Sequence, residues 1–173
     1  MWRIVFDASS NECNGPSFND ALEICPSLLP EVLATVLRFC EQPVAIIGDI
    51  QQVFLQLSLD RIDRDLRRFF WYRIFQDNEG NHYTTEVVTY RFTRLPFGIT
   101  YSPFLLSATV RELATMCREK CPKTAPLIDS HMFMDDFLAG VADGNEAIGI
   151  YYELTALMKT NSQWLNGPPA ARN

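Results

Sequence analysis

Two acidic sites each sit where an apolar run ends, and no other feature constrains the fold of this chain as tightly. Val44-Ala45-Ile46-Ile47-Gly48 is short, apolar and rich in β-branched residues, which reads as a fully buried strand delivering Asp49 at its end. Ile128 to Met134 and Phe137 to Val141 read as the two strands of a hairpin, with Asp135 and Asp136 at its turn. A carboxylate held beside a core is costly unless it is paired or binds a cation.

Acids from two separate strands that meet at one sheet edge suit hard divalent cations. Magnesium takes oxygen ligands, commonly one or two protein carboxylates together with substrate phosphates. Two such ions roughly 3.5–4 Å apart can activate a hydroxyl and stabilise a leaving pyrophosphate. Aspartate at a strand end is also an ordinary turn former, so spacing alone leaves both readings open.

The rest of the chain supplies a frame for these acids. Leu28 to Cys40 reads as a helix, with Leu29, Val32, Leu33, Val36, Leu37 and Cys40 on one stripe. Asp60 to Arg68 reads as a charged surface helix or turn. Phe69 to Phe75 and Glu86 to Phe92 read as strands, with a turn at Gln76 to Asn81. Leu95-Pro96-Phe97-Gly98 breaks the second strand, and Pro103 to about Lys120 reads as a helix. Asp143 caps a last helix from Asn145 to about Lys159. Residues 161–173 show no periodicity and read as a tail. Strand, helix, strands, helix, hairpin and helix in that order predict an α+β layer, a mostly antiparallel sheet with helices on one face.

Composition narrows the class. The 173 residues, 47% of them hydrophobic, suit one globular domain. No apolar run approaches the roughly 18 residues that a bilayer span needs. The N-terminus does not read as a signal peptide, so an intracellular site is expected. Five cysteines without a secretory signal argue against a disulfide framework. Cys13, Cys25, Cys40, Cys117 and Cys121 are expected to be buried or half-buried free thiols. The net charge of -6 counts against a nucleic-acid-binding chain. Against that stands a local cluster of arginines, Arg61, Arg64, Arg67, Arg68 and Arg73, followed by Arg91 and Arg94.

Four segments in order carry a family resemblance. Leu95-Pro96-Phe97-Gly98-Ile99-Thr100-Tyr101-Ser102-Pro103 resembles the reverse-transcriptase motif L-P-F-G-x-x-x-[SA]-P. Asp49-Ile50-Gln51-Gln52-Val53-Phe54 resembles the first catalytic motif, D-[IV]-x-x-A-[FY], and Phe133-Met134-Asp135-Asp136 resembles the Y-x-D-D box. Trp2-Arg3-Ile4-Val5-Phe6-Asp7 resembles the fingers motif. The strings Arg3 to Ser9, Phe18-Asn19-Asp20-Ala21-Leu22 and Tyr90 to Gly98 are most similar to the Bel-Pao group of long-terminal-repeat retrotransposons. The resemblance covers roughly Trp2 to Lys159.

That resemblance implies a polymerase palm with partial fingers, the sheet carrying the acidic hairpin and packed on helices. It implies an RNA-directed DNA polymerase that adds dNTPs to a primer 3′-end on an RNA or DNA template. The cofactor would be two Mg²⁺ (or Mn²⁺) ions, with Asp49 and Asp135 as main ligands and Asp136 in support. Arg3 would grip the triphosphate through its guanidinium fork. Phe54 would be the aromatic gate that clashes with a 2′-hydroxyl. Phe97 and Gly98 would floor the nucleotide pocket, and Ser102 and Pro103 would start the helix beneath the template. Arg91 and Arg94 are weaker candidates for nucleic-acid contacts. Two departures stand out: Val53 where alanine is usual and Phe133 where tyrosine is usual.

Relative to such enzymes, an upstream fingers strand with its lysine, the thumb, ribonuclease H and integrase are not in this sequence, so little activity is expected from the chain alone. An intact element would act in the cytoplasm, in the nucleus or in virus-like particles, without a membrane. The fingers/palm core is assigned to residues 1–160. With synonymous codons chosen for the purpose, a one-base shift across Gln163 to Pro169 reads Met-Ala-Lys-Trp-Ala-Thr. Residues 161–173 are therefore expected to be a frameshifted remnant, an ordinary divergent terminus being the alternative. Two competing functions remain at this point. One is a non-catalytic remnant that binds nucleic acid or protein. The other is an RNA-directed RNA polymerase, which Phe54 disfavours because such an enzyme must admit a 2′-hydroxyl.

Overall fold

The structure, a computed structural model, describes residues 6–11 and 13–164. The elements run α1 (Val32–Cys40), β1 (Val44–Asp49), α2 (Val53–Gln56), β2 (Arg68–Gln76), β3 (His82–Arg91), α3 (Ser102–Met116), α4 (Ile128–His131), β4 (Met132–Phe133), β5 (Asp136–Val141) and α5 (Gly144–Trp164). Short 3-10 turns lie at Asn19–Ala21, Asp63–Leu66 and Ala125–Leu127. The strands form two antiparallel sheets, one ordered β1-β5-β4 and the other a β2-β3 hairpin. This is the expected α+β architecture.

The three-stranded sheet has two unlike faces. Phe137, Ala139 and Val141 of β5 point inward and bury against Ile150 of α5, with Val44, Ile46 and Leu154 packed around them. The opposite face carries Ala45, Ile47 and Asp49 from β1 and is open, Ile47 being 69% exposed. The apolar run Val44 to Gly48 is thus an edge strand open on one face, not a strand buried on both. The last turn of α1 crosses that outer face at Gly140. A Cβ there would lie 2.8 Å from the Phe39 carbonyl oxygen and 3.0 Å from that of Arg38, so glycine permits the close approach. Helices therefore stand on both faces of the sheet rather than one.

A second core forms where α2, α3 and α4 meet. Val53, Leu57, Leu95, Leu106, Val110, Ile128 and Met132 are buried together there. Ile128 and Met132 share this core at i, i+4 spacing because Ile128 to His131 is helical; only Met132 and Phe133 are strand. A short apolar run does not distinguish the two periods, and Pro126 favours a helical start.

Other boundaries move for identifiable reasons. Pro30 delays α1 to Val32, where the Thr35 N–H and hydroxyl both donate to the Glu31 carbonyl at 2.9 and 3.0 Å. The expected apolar stripe of α1 faces solvent: Leu33 and Leu37 are 63% and 62% exposed, while Thr35 is buried. Cys40 lies exposed at the end of that helix, and Cys13 is exposed too. Cys25 is half-buried and Cys117 and Cys121 are buried, so the expectation holds for three thiols of the five. Burial pushes the Cys121 thiol above its ordinary value. α3 stops at Met116, before the predicted Lys120. α5 is capped as predicted, the Asp143 carboxylate accepting from the Asn145 and Glu146 N–H groups at 2.8 and 2.9 Å. It continues to Trp164, beyond the expected end at Lys159. The remainder of the predicted tail, 165–173, lies outside the described residues. No helix among the described residues is long and apolar enough to cross a membrane.

Candidate active site

Strand register is what brings the acids together. β1 and β5 pair antiparallel with Asp49 directly opposite Asp136. Directly opposed residues share one face and hold their Cβ atoms roughly 4.5–5.5 Å apart. That face is the open one, with Asp49 and Asp136 both exposed and Asp135 half-buried. Asp135 is fixed one step further along, its carbonyl accepting the Ile50 N–H at 2.9 Å. No ion pair among the described residues engages these three side chains. Because Asp49 and Asp136 are exposed to water, their carboxylates need no partner to offset desolvation, contrary to the expectation for acids beside a core.

Local backbone geometry sets the positions further. Met134 and Asp135 form the two-residue loop between β4 and β5, across which Phe133 pairs with Asp136. Met134 has φ 56°, as the first loop residue of a primed hairpin turn requires. A non-glycine residue held there stores of order 1–3 kcal/mol of strain. On the other strand, Gln52 has φ 53° and turns the chain out of β1 into α2. Neither left-handed residue was anticipated, because neither is glycine, asparagine or aspartate. That turn buries Val53 in the α2-α3-α4 core, which absorbs its bulk relative to alanine. Phe54 is half-buried and packs against the same core.

Among the described residues no three His, Cys, Asp or Glu side chains are gathered to hold one ion. The donor chemistry still fits magnesium, since two carboxylates on one solvent-facing sheet edge are what an ion completed by phosphates and water uses. Beside Asp49 and Gln51 runs a groove of about 420 Å³ between β1, α2, α3 and α5, walled by Ile46, Leu106, Val110, Leu154 and Met158 among others. Its apolar walls do not suit a triphosphate.

The Leu95 to Ser102 segment is held at several points. The Leu95 N–H donates to the Leu57 carbonyl at 2.9 Å. Ser102 is buried and donates its hydroxyl to the Pro96 carbonyl at 2.8 Å, which makes it a staple of the turn. Pro103 follows in the first turn of α3. Phe97 is half-buried and Gly98 exposed, with φ 87° at the glycine. A Cβ on Gly98 would lie 2.9 Å from the Phe6 carbonyl oxygen. Asn19 also reaches this turn, and sequence reasoning assigned it no site role although its string was noted.

The arginine cluster is largely occupied within the fold. Asp65 accepts from Arg91 at 3.0 Å and pairs with Arg68 at 3.2 Å. The Arg91 hydrogen bond is the main reason its carboxyl lies below the ordinary value. Arg73 pairs with Glu86 at 2.7 Å. Arg94 donates to the Gln56 carbonyl at 3.1 Å. Arg67 is buried, donating to the Asp63 carbonyl at 2.7 Å and to the Tyr101 hydroxyl. Arg3 lies outside the described residues.

The structure thus brings Asp49, Asp135 and Asp136 to one sheet edge and Phe97, Gly98, Ser102 and Pro103 to one turn. Arg91 and Arg94 stand at the root of the β2-β3 hairpin. No curated protein sequence matches the chain. The family model described as reverse transcriptase (RNA-dependent DNA polymerase) matches residues 31–166. That stretch includes the three acids, Phe54 and the Phe97-Gly98 turn. The chain belongs to the reverse transcriptase family of RNA-directed DNA polymerases.

Proposed function

We propose that this chain is the palm-centred core of a Bel-Pao-type retrotransposon polymerase, with its nucleotidyl-transfer site at Asp49, Asp135 and Asp136. The observation that carries the reading is the cross-strand pairing of Asp49 with Asp136, with Asp135 fixed beside them through Ile50. Asp49 and Asp135 would be the main holders of divalent cations, with Asp136 assisting. When bound, such ions supply activation of the primer 3′-hydroxyl and stabilisation of the leaving pyrophosphate. The protein's own part is to hold the carboxylates on a rigid strand pair open to solvent on the reacting side. Phe54, anchored two residues beyond the Gln52 turn, limits space beside the sugar and so favours deoxynucleotides. Phe97 and Gly98 form the pocket floor.

The internal pairing of Arg68, Arg73 and Arg91 gives a purely nucleic-acid-binding role less support than the acids give catalysis. The test is equilibrium binding of a fluorescent dATP analogue to the purified chain with Mn²⁺, alongside primer extension on an RNA template. Metal-dependent binding that Asp135→Asn removes is the expected result, with extension near background. Metal-independent binding, or none, would refute the site assignment. Robust extension that Asp135→Ala abolishes would refute the expectation that the chain is inactive alone.

A further inference from the structure

We infer that Asn19 is the positioning residue of the nucleotide-pocket floor, an assignment that rests on the proposed role of Phe97 and Gly98. Its side-chain amide spans the turn that carries them. Nδ2 donates to the Gly98 carbonyl at 3.0 Å and to the Ser9 hydroxyl at 3.0 Å. Oδ1 accepts the Thr100 N–H at 3.0 Å. A carbonyl can only accept and a backbone N–H can only donate, so these two partners fix which way the amide faces. One planar group thus ties both sides of Ile99 to a segment about eighty residues earlier in the chain.

The support beneath Asn19 is itself held. Its backbone N–H donates to the carbonyl of Ala8, which is buried. Asp20 accepts from the Ser17 N–H and hydroxyl, both at 2.8 Å, closing the turn that presents Asn19. Phe6 packs edge-on against Phe18 and Phe92, with ring centroids 6.2 and 5.1 Å apart. The Phe6 carbonyl oxygen in turn lies 2.9 Å from where a Cβ on Gly98 would be. Ser102 pins the turn from inside through Pro96, and Asn19 pins it from outside through Gly98 and Thr100.

Asparagine is the residue this bridge requires. Aspartate has the same shape but, when ionised, has no donor for the Gly98 carbonyl and sets a negative charge against it. A protonated aspartate has one donor and one acceptor and restores both bonds. Asn19 touches no reacting atom on this account; it acts through the position of Gly98.

The test measures Mn²⁺-dependent binding of the fluorescent dATP analogue to wild-type chain, Asn19→Asp, Asn19→Ala and Asp135→Asn, with unfolding midpoints for each. Losing a hydrogen bond and leaving its partner facing a charge is expected to weaken Asn19→Asp about tenfold at pH 7.5. Its deficit relative to wild type at the same pH should narrow as the pH falls. Asn19→Ala should be weakened at every pH and should not recover, and it decides the matter if Asn19→Asp does not fold. A purely structural role predicts a lowered midpoint with wild-type affinity in the folded fraction, and that pattern would overturn the assignment. Folded Asn19 variants that bind like wild type while Asp135→Asn does not would overturn it too, leaving the active-site reading intact. If wild type itself shows no metal-dependent binding, the pocket reading falls and the role of Asn19 falls with it.

Discussion

His131 shows how one side chain can tune this fold. Its ring lies beside Phe137, with Nδ1 2.8 Å from the Ser130 hydroxyl and 3.3 Å from the Leu127 carbonyl. Burial lowers its pKa below the ordinary 6.5, and the Arg38 charge adds to the effect. A histidine whose folded pKa is depressed binds fewer protons folded than unfolded in the window just below 6.5. Its contribution is therefore fully present above the unfolded pKa and is lost as the pH falls through that window. Urea unfolding of wild type should show stability falling from pH 7.5 toward 5, and His131→Gln should flatten that slope. An unchanged slope in the variant would assign the acid sensitivity elsewhere. None of this is legible in the string Asp129-Ser130-His131, because the cause is the packing of β5 across the ring. The meeting of Asp49 and Asp136 at one sheet edge was legible, since the strand ends that carry them are local in sequence. Asn19 was not, since what makes it a positioning residue is a turn far along the chain.

At the scale of elements, the α5 start is the clearest case of local sequence fixing structure. Asp143 accepts from two first-turn N–H groups, and the Glu146 carboxylate reaches back to the Ala142 N–H at 3.0 Å, close to a capping-box arrangement. Replacing such a cap with alanine typically costs about 1 kcal/mol. Asp143→Ala should lower the urea midpoint accordingly, without changing the denaturant slope. The hairpin turn was equally readable, because Asp77 accepts from the Glu79 and Asn81 N–H groups at 2.9 and 2.8 Å. The elements that sequence misassigned depend on tertiary placement. α4 was taken for strand because Ile128 and Met132 reveal their spacing only once α3 packs on them. The orientation of α1 was misjudged because an apolar stripe predicts a buried face, whereas here the stripe faces solvent and Thr35 is buried.

For the whole molecule, much apolar side chain faces solvent among the described residues: Leu33 and Leu37 on α1, Ile47 on β1, and Phe70 on the hairpin at 75% exposure. Exposed apolar surface of this kind drives association. Sedimentation at micromolar concentrations should therefore show concentration-dependent self-association. The double substitution Leu33→Lys with Leu37→Lys should weaken it while leaving the thermal midpoint within a few degrees, because neither side chain is in the core. Association unaffected by that change would point to the hairpin instead.

The pairing of β1 with β5 also has a kinetic meaning. Asp49 and Asp136 face each other across 86 residues of intervening chain, and contacts that distant form slowly because loop closure must precede them. During synthesis the β2-β3 hairpin and α3 can form while Asp49 still has no partner. The acidic cluster comes into being only when β5 docks, so a chain interrupted before that strand carries Asp49 and the Phe97-Gly98 turn but not the paired acids.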